Sequence, residues 1–195
     1  ISETNYQYDV STNGVLPSYL LLKNEKSKDF LTNVVTEKVN QSFTTDYFLP
    51  KVNIINKYLG TQLQSSSTTT TNYEPAIINP SYYLIGRPNE INISNTTYVN
   101  TTGSSNTKTS NQKLFYNFHK LIKTEKKANN SPESLVEEFS YFPNGLLKSK
   151  KNSAIGTNSL NAVNPRTISY TYDSTNRFIK TTTDPEGLVT TNNTY

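Results

Sequence analysis

The chain has 195 residues, a net charge of +4 and no Cys, which excludes disulfides, thiolate metal sites and cysteine nucleophiles. Hydrophobic residues make up only 33% of the sequence, but its 14 Tyr and its many Thr are typical of strands and not of disordered segments. The sequence has no Met and no apolar run long enough for a transmembrane helix, and it begins as if within a strand, so we expect a segment of a larger chain.

The first 60 residues predict a series of strands. Tyr6-Gln7-Tyr8-Asp9, followed by Asn13-Gly14, is typical of a strand that enters a hairpin turn. The charged stretch from Lys23 to Asp29 predicts a turn or loop. The segment from Phe30 to Val39 has helix-like apolar spacing, but its Thr and Val content favours a strand. The predicted strands cover residues 6–10, 19–23, 30–39, 43–49 and 52–59.

The middle of the chain alternates between strand and loop signals. The Ser/Thr run from Ser65 to Asn72 suits either a linker or an exposed strand, and in a Thr-rich chain we favour a strand or a sheet edge. Tyr82 to Ser94 predicts a strand, a kink and a second strand, because Gly86 permits a bend and Pro88 cannot donate to a ladder. The polar stretch from Asn100 to Ser110 predicts a loop.

Two segments share one order of residue types: an aromatic residue, a turn, an apolar pair, Lys and a hydroxyl residue. They are Tyr116 to Thr124 and Tyr141 to Ser149, and both match the later stretch from Tyr172 to Thr181. Several copies in one chain indicate a repetitive β architecture in which each unit is stabilised by its neighbours.

The segments between these copies predict turns and one helix. Asn129 to Ser134 predicts a turn, and Ala154 to Arg166 predicts an insertion. Ser131 could cap a short helix that runs to Phe139, with Pro132 at the first helical position.

The last 28 residues have the most specific order. Ile168, Tyr170 and Tyr172 alternate with small hydroxyl residues, which predicts a strand with three large side chains on one face. Asp173 to Arg177 supplies turn formers, among them Asn176, which tolerates a positive φ. In this turn we expect Arg177 to reach a carboxylate such as Asp173.

A second turn follows in the same segment. Asp184-Pro185-Glu186-Gly187 suits a type I turn, with Asp first, Pro setting φ at the second position and Gly fourth. The unit is therefore a strand, a hairpin, a strand, a turn and a strand.

This pattern resembles a YD repeat, the unit of the Rhs family. The matching residues are Tyr170, Tyr172, Asp173, Asn176, Arg177, Phe178, Asp184, Pro185, Gly187 and Tyr195. The segment from Tyr82 to Ile93 is also similar to the β-rich region that precedes the repeats in large Rhs-type and Tc-toxin cocoon proteins. The resemblance implies that residues 1–110 lead into the repeats, and that residues 111–195 are degenerate and then well-matched repeats.

The sequence offers little catalytic chemistry. His119 is the only histidine, and its place in the turn of a repeat predicts an exposed turn residue and not a base. Asp184 is interpreted as a turn residue. No phosphate-binding or nucleophile-elbow motif is present, so we predict no enzyme, no cofactor and no metal site. The Lys clusters at 120–127 and 148–151 would suit an anionic partner, but isolated Lys ordinarily protects exposed strands, so we expect no nucleic acid.

The expected architecture is all-β: antiparallel hairpins of YD-repeat type in a curved sheet or hollow shell. The resemblance implies a structural segment of a secreted or cell-surface bacterial protein, whose shell encloses or carries a variable, often toxic, C-terminal cargo. Its partners would be the rest of its parent chain, the cargo or the secretion machinery. The alternative is an adhesin that binds carbohydrate or a partner through exposed Tyr and Asn side chains.

Overall fold

The computed structural model describes residues 2–11, 19–99, 103–128, 131–156 and 164–192. Within these ranges the regular elements are β-strands, and no helix occurs. The predicted all-β fold with antiparallel strands is therefore confirmed. The predicted turn residues Asn13-Gly14 and most of the predicted insertion from Ala154 to Arg166 lie outside the described residues.

The strands are numbered in chain order. The first eight are β1 (Ser2–Ser11), β2 (Tyr19–Asp29), β3 (Val34–Phe43), β4 (Pro50–Leu59), β5 (Gln62–Tyr73), β6 (Ile77–Asn79), β7 (Tyr82–Leu84) and β8 (Pro88–Val99). The remaining strands are β9 (Ser104–Asn117), β10 (Lys120–Ala128), β11 (Ser134–Tyr141), β12 (Leu147–Ile155), β13 (Arg166–Tyr172), β14 (Ile179–Thr183) and β15 (Val189–Thr191).

Strands that follow each other in the chain are also neighbours in the sheet. The hydrogen-bonded order is β1-β2-β3-β4-β5-β8-β9-β10-β11-β12-β13-β14-β15, and β6 and β7 form a separate two-stranded hairpin. The order does not close on itself within the described residues. By internal contacts the chain divides into two compact units, residues 1–111 (unit 1) and 112–195 (unit 2).

The strands have almost no buried core. Among the described residues only three side chains are buried: Val35 at 8% exposure, Val136 at 1% and Thr124 at 3%. In β13 the side chains of Ile168, Tyr170 and Tyr172 are half-buried, and those between them are exposed. This is the predicted alternation of a strand whose faces are only partly covered.

Several predicted strands are confirmed. Residues 6–10, 19–23 and 52–59 lie inside β1, β2 and β4. The Ser/Thr run from Ser65 to Asn72 is a strand and lies between β4 and β8, so the linker interpretation is wrong and the strand is interior. Gly86, at φ 75°, separates β7 from β8 as predicted, and Pro88 is the first residue of β8.

The predicted helix from Ser131 to Phe139 is wrong. Residues from Ser134 onward form β11, which pairs with β10 on one side and with β12 on the other. The Ser131 hydroxyl accepts the backbone N–H of Glu133 at 3.0 Å, which is a local turn contact and not a helix cap. Two ladders of backbone hydrogen bonds and the burial of Val136 therefore override a weak capping signal.

Four boundaries in the first unit also differ from prediction. The charged stretch from Lys23 to Asp29 belongs to β2, because its charges pair across strands: Lys38 Nζ lies 3.0 Å from Glu25 Oε2. Residues 44–49 form a turn and not a strand, and Phe30 to Asn33 is a turn that precedes β3. The predicted loop at 100–110 is strand β9 from Ser104 onward.

Candidate functional site: the tyrosine-locked turns

The turn from Asp173 to Phe178 is closed by its own backbone and by one carboxylate. The Asp173 N–H donates to the Phe178 carbonyl at 3.0 Å, and the Asn176 N–H donates to the Asp173 carbonyl at 3.0 Å. Asp173 Oδ1 accepts the backbone N–H groups of Arg177 (2.9 Å) and Phe178 (3.1 Å). The sequence therefore places an acceptor where the turn leaves donors without strand partners.

The Asp173 carboxylate is held in its ionised form. Its other oxygen accepts the Thr175 hydroxyl, and this hydrogen bond, with those from the backbone N–H groups, lowers the pKa of Asp173 to about 2. Asn176 has a φ of 57°, which confirms the prediction that Asn supplies the left-handed residue of this turn.

The Asp184 turn repeats the same arrangement. The Gly187 N–H donates to the Asp184 carbonyl at 3.1 Å, and the Asp184 N–H donates to the Leu188 carbonyl at 3.0 Å. Asp184 Oδ1 accepts the N–H groups of Glu186 (3.0 Å) and Leu188 (2.8 Å). Gly187 has a φ of 86°, so Asp184 is a turn residue, as predicted.

The turn from Phe142 to Leu146 has the same closure without an acid. The Phe142 N–H donates to the Leu146 carbonyl at 2.8 Å, and the Gly145 N–H donates to the Phe142 carbonyl at 2.9 Å. Asn144 Oδ1 takes the place of the Asp carboxylate and accepts the Leu146 N–H at 3.2 Å. In all three turns the fourth residue, Gly145, Asn176 or Gly187, has a positive φ.

A tyrosine precedes two of these turns and ties each to the adjacent strand. The Tyr141 hydroxyl donates to the Leu121 carbonyl at 2.7 Å, from the end of β11 to the start of β10. The Tyr172 hydroxyl donates to the Leu147 carbonyl at 3.1 Å, from the end of β13 to the start of β12. Each tyrosine therefore joins the turn that follows it to the turn before the adjacent strand.

The first unit contains a third tyrosine of this kind, which the sequence analysis missed. The Tyr73 hydroxyl, at the end of β5, donates to the Pro50 carbonyl at the start of β4, at 2.8 Å. The next residue, Glu74, donates its N–H to the Arg87 carbonyl at 2.9 Å, and the two side chains form an ion pair. The β6–β7 hairpin is thus an insertion into a turn of the same type.

We call these three the tyrosine-locked turns: 73–87, 141–146 and 172–178. Burial raises the pKa of the Tyr73 and Tyr141 hydroxyls above the ordinary value, so both remain hydrogen-bond donors at neutral pH. One sequence signal could have found Tyr73: it is a tyrosine that ends a predicted strand and precedes a turn. Unlike Tyr172, it is not followed by Asp.

In unit 2 the tyrosine-locked turns also contact each other through side chains. The rings of Phe142 and Tyr172 meet edge to face, with centroids 6.2 Å apart. Lys120 Nζ lies 5.4 Å from the centre of the Tyr141 ring, and Lys148 Nζ lies 5.9 Å from the Phe142 ring. The turns are therefore one continuous edge of aromatic and cationic groups.

Not every predicted residue is part of these turns. Tyr170 lies within β13 opposite Thr182, and Pro185 is exposed in the Asp184 turn. The expected contact from the Arg177 side chain to Asp173 is wrong, because Arg177 reaches Asp173 through its backbone N–H. Among the described residues no ion pair includes the Arg177 guanidinium.

The predicted hairpin entry from Tyr6 to Asp9 lies in β1. Tyr6 and Tyr8 are exposed there, and Asp9 forms an ion pair with Lys23 at 3.2 Å. Asp9 Oδ1 also accepts the Val10 N–H at 3.0 Å, but the turn that would follow lies outside the described residues.

The remaining polar sites do not assemble a reaction centre. His119 is exposed in the turn between β9 and β10, as predicted. In the part of the chain that the structure describes, no three His, Cys, Asp or Glu side chains gather as a metal ion would require. No helix in the described ranges could cross a bilayer. Two open depressions of 410 Å³ and 380 Å³ lie in unit 1 on either side of the turn 44–49.

No protein-family model, curated protein or solved structure matches this chain.

Proposed function

We propose that this chain is a non-enzymatic structural segment, a stretch of wall in a secreted bacterial protein of the Rhs/YD-repeat type. The observation that carries the proposal is the combination of tyrosine-locked turns with a sheet in which only three described residues are buried. A wall that separates two compartments needs strands whose position is fixed without a thick core.

The turns supply that fixation. A hydrogen bond from a half-buried hydroxyl to a carbonyl contributes about 1 kcal/mol, and it restrains two strands at once. Each of Tyr73, Tyr141 and Tyr172 makes this bond at the end of a strand, where fraying would begin. The same element repeated along a sheet stabilises each hairpin through its neighbour.

The chemistry of the carboxylates supports a structural role over a catalytic one. In Asp173 and in Asp184, Oδ1 accepts two backbone N–H groups of the same turn, as expected of a carboxylate that stabilises a turn. Glu137 is occupied by Lys150 Nζ at 2.6 Å and by Lys126 Nζ at 3.4 Å.

The resemblance to YD repeats supplies the rest of the proposal. The parent protein would be exported to the medium or the cell surface, and the wall would surround a variable and often toxic C-terminal cargo. The direct partners of this segment would then be the rest of its parent chain, the cargo and the secretion machinery.

Protease protection of the cargo tests the proposal. In the parent protein, the double change Tyr141→Phe and Tyr172→Phe should make the enclosed region accessible to protease at a lower temperature. The released cargo should keep its own activity. The matched control is Tyr6→Phe with Tyr8→Phe in β1, where the two side chains are 57% and 51% exposed. Loss of cargo activity with assembly intact would overturn the proposal.

The alternative function is recognition of carbohydrate or a partner at a cell surface. The 410 Å³ depression favours it, since Tyr47, Asp46 and Lys51 line that space with groups that can stack on a ring and hydrogen-bond to hydroxyls. Glycan binding that is lost with Tyr47→Ala, in a parent without an enclosed cargo, would favour this alternative over the wall.

A further inference from the structure

The turn edge of unit 2 carries cations that the fold itself does not neutralise. Lys120 begins β10, Lys148 lies at the start of β12 and Arg177 lies in the turn that precedes β14. Four other lysines of this unit form ion pairs: Lys150 and Lys126 with Glu137, Lys151 with Glu138, and Lys123 with Glu125. Among the described residues no carboxylate lies within ion-pair distance of Lys120, Lys148 or Arg177.

The one carboxylate in these turns is already engaged. Asp173 accepts two backbone N–H groups and the Thr175 hydroxyl within its own turn. It reduces the positive potential of the edge but does not pair with a cation. The edge therefore retains an excess of positive charge that attracts an anionic partner.

Aromatic rings lie along the same edge as these cations. Phe118 is 65% exposed and Phe178 is 46% exposed, one at each end of the edge. Between them, Phe142 and Tyr172 are in edge-to-face contact, and Lys120 and Lys148 lie over Tyr141 and Phe142. The ammonium groups of Lys120 and Lys148 are thus held near rings, so less side-chain entropy remains to be lost at these two residues when a partner binds.

The spacing of the cations selects the form of the partner. Lys120 and Lys148 lie at the starts of β10 and β12, two strand spacings or roughly 9.5 Å apart across the sheet, and Arg177 lies in the β13–β14 turn, one to two spacings beyond Lys148. A polyproline II helix has three residues per turn and rises about 3.1 Å per residue, so every third side chain recurs on one side at about 9.3 Å. Nucleic acid is a poorer match, because duplex DNA carries a charge every 1.7 Å or so and has no apolar side chains for the rings.

From this match we propose that the turn edge of unit 2 binds an acidic peptide in the polyproline II conformation, with a carboxylate at every third residue. Lys120, Lys148 and Arg177 pair with successive carboxylates, and the intervening residues pack on Phe118, Phe142 and Phe178. Aromatic surfaces recognise polyproline II segments because that conformation is already extended and loses little entropy on binding. The proposal does not depend on whether the sheet is part of a wall.

The test uses the full chain and a fluorescent peptide of four Glu-Pro-Pro repeats. We expect saturable binding by anisotropy, weaker at high salt. A peptide of the same composition, with its four Glu residues placed together, should bind more weakly, because only one carboxylate at a time then meets a cation. Equal affinity for the two peptides would overturn the proposed spacing.

Two triple variants locate the site. Lys120→Gln, Lys148→Gln and Arg177→Gln together should weaken binding about tenfold, as expected from the loss of three exposed ion pairs. The charge-matched control is Lys51→Gln, Lys108→Gln and Lys180→Gln, which leaves the edge intact and should bind as the original chain does. Far-UV circular dichroism shows whether both variants keep the strand content. Equal weakening in both variants would overturn the site.

Competition distinguishes the peptide from other anions. A heparin oligosaccharide and a single-stranded oligonucleotide of equal charge should displace the peptide less effectively than unlabelled Glu-Pro-Pro peptide does. If either displaces the peptide better, the edge is a general polyanion surface and the proposal is wrong.

Discussion

Both units have ion pairs between neighbouring strands, but one group of cross-strand contacts in each unit differs in its chemistry. In unit 1 this group is neutral: Asn53 Nδ2 donates to Asn40 Oδ1 at 2.9 Å, and Asn40 Nδ2 donates to the Leu22 carbonyl at 2.7 Å. Three strands are thereby joined by a ladder of amides. In unit 2 the cross-strand contacts of β10, β11 and β12 include ion pairs from Lys126 and Lys150 to Glu137 and from Lys151 to Glu138.

One pair of glutamates makes the difference explicit. In unit 1, Glu37 accepts the Asn24 amide and the Tyr58 hydroxyl, each at 3.2 Å, and the Asn24 hydrogen bond lowers the pKa of Glu37. In unit 2, the hydrogen bond from Lys150 lowers the pKa of Glu137.

Both carboxylates lie on a half-covered sheet face, but only Glu137 sits between two cations. A sheet without a core can therefore be stabilised by neutral cross-strand hydrogen bonds or by cross-strand ion pairs. The ion pairs are the contacts that salt weakens more.

The largest expected effect is the loss of a tyrosine lock. Tyr172→Ala removes a half-buried ring, its contact with Phe142 and its hydrogen bond to Leu147, and should lower the free energy of unfolding by about 2–4 kcal/mol. Urea denaturation of the full chain measures this. Tyr83→Ala, at an exposed ring, is the control and should change stability by less than about 0.5 kcal/mol. Similar losses of unfolding free energy in the two variants would show that the Tyr172 contacts do not stabilise the fold more than an exposed tyrosine does.

Next in size is the difference between the two glutamates. Glu137→Gln should cost about 1–2 kcal/mol because it removes charge-assisted hydrogen bonds from Lys150 and Lys126. Glu37→Gln should cost less, since its hydrogen-bond partners are neutral and Lys26 acts on it only through a weaker electrostatic attraction. Urea denaturation in low salt and in high salt separates them: the cost at Glu137 should shrink with salt by more than the cost at Glu37. Equal salt dependence would contradict the comparison.

The turn backbones should respond in a residue-specific way. Gly145→Ala should cost about 1 kcal/mol, because a Cβ disfavours a left-handed backbone, and Gly145 has a φ of 93°. Space is not the cause, since the nearest atoms to an added Cβ would be those of Lys120 at 3.9 Å. Asn176→Gly should be nearly neutral, because Asn already tolerates its φ of 57° and Gly does so as well. Thermal unfolding compares the two, and a neutral Gly145→Ala would refute the turn geometry.

The smallest effect is the dependence on pH. Asp173 has a folded pKa of about 2, and the pKa values of Glu37 and Glu137 are also lowered. A carboxyl with a depressed folded pKa contributes stability above its unfolded pKa and loses it as the pH falls through the folded value. Stability should therefore decline from about pH 5 toward pH 2. Asp173→Asn should make that decline shallower, and an unchanged pH profile would show that the carboxylate does not hold the turn.

The sequence predicts best where alternation and turn residues agree. The alternation of Ile168, Tyr170 and Tyr172 predicts the strand and its half-covered face, and Asp173 to Asn176 predicts the turn down to the residue with positive φ. Both features are determined locally. The alternation of side chains along a strand and the hydrogen bonds within a turn each depend on only a few neighbouring residues.

It predicts poorly where a distant partner decides. Lys23 to Asp29 looks like a loop until Lys38 is placed opposite Glu25, and the segment from Ser134 looks helical until β10 and β12 flank it. The lock at Tyr73 has the same cause, because Pro50 lies 23 residues away in the sequence. Arg177 shows the converse: its backbone N–H makes the local contact with Asp173, and its guanidinium forms no ion pair among the described residues.

The most direct test of the central claim asks whether the two faces of the sheet meet different environments. The chain has no Cys, so Thr181→Cys and Thr182→Cys report on neighbouring positions that point to opposite faces of β14. In the 195-residue chain both thiols should react with a maleimide reagent, since both positions are only partly buried. In the parent protein one of them should be protected. Equal reactivity of both thiols in the parent would contradict a wall that separates an interior from the solvent.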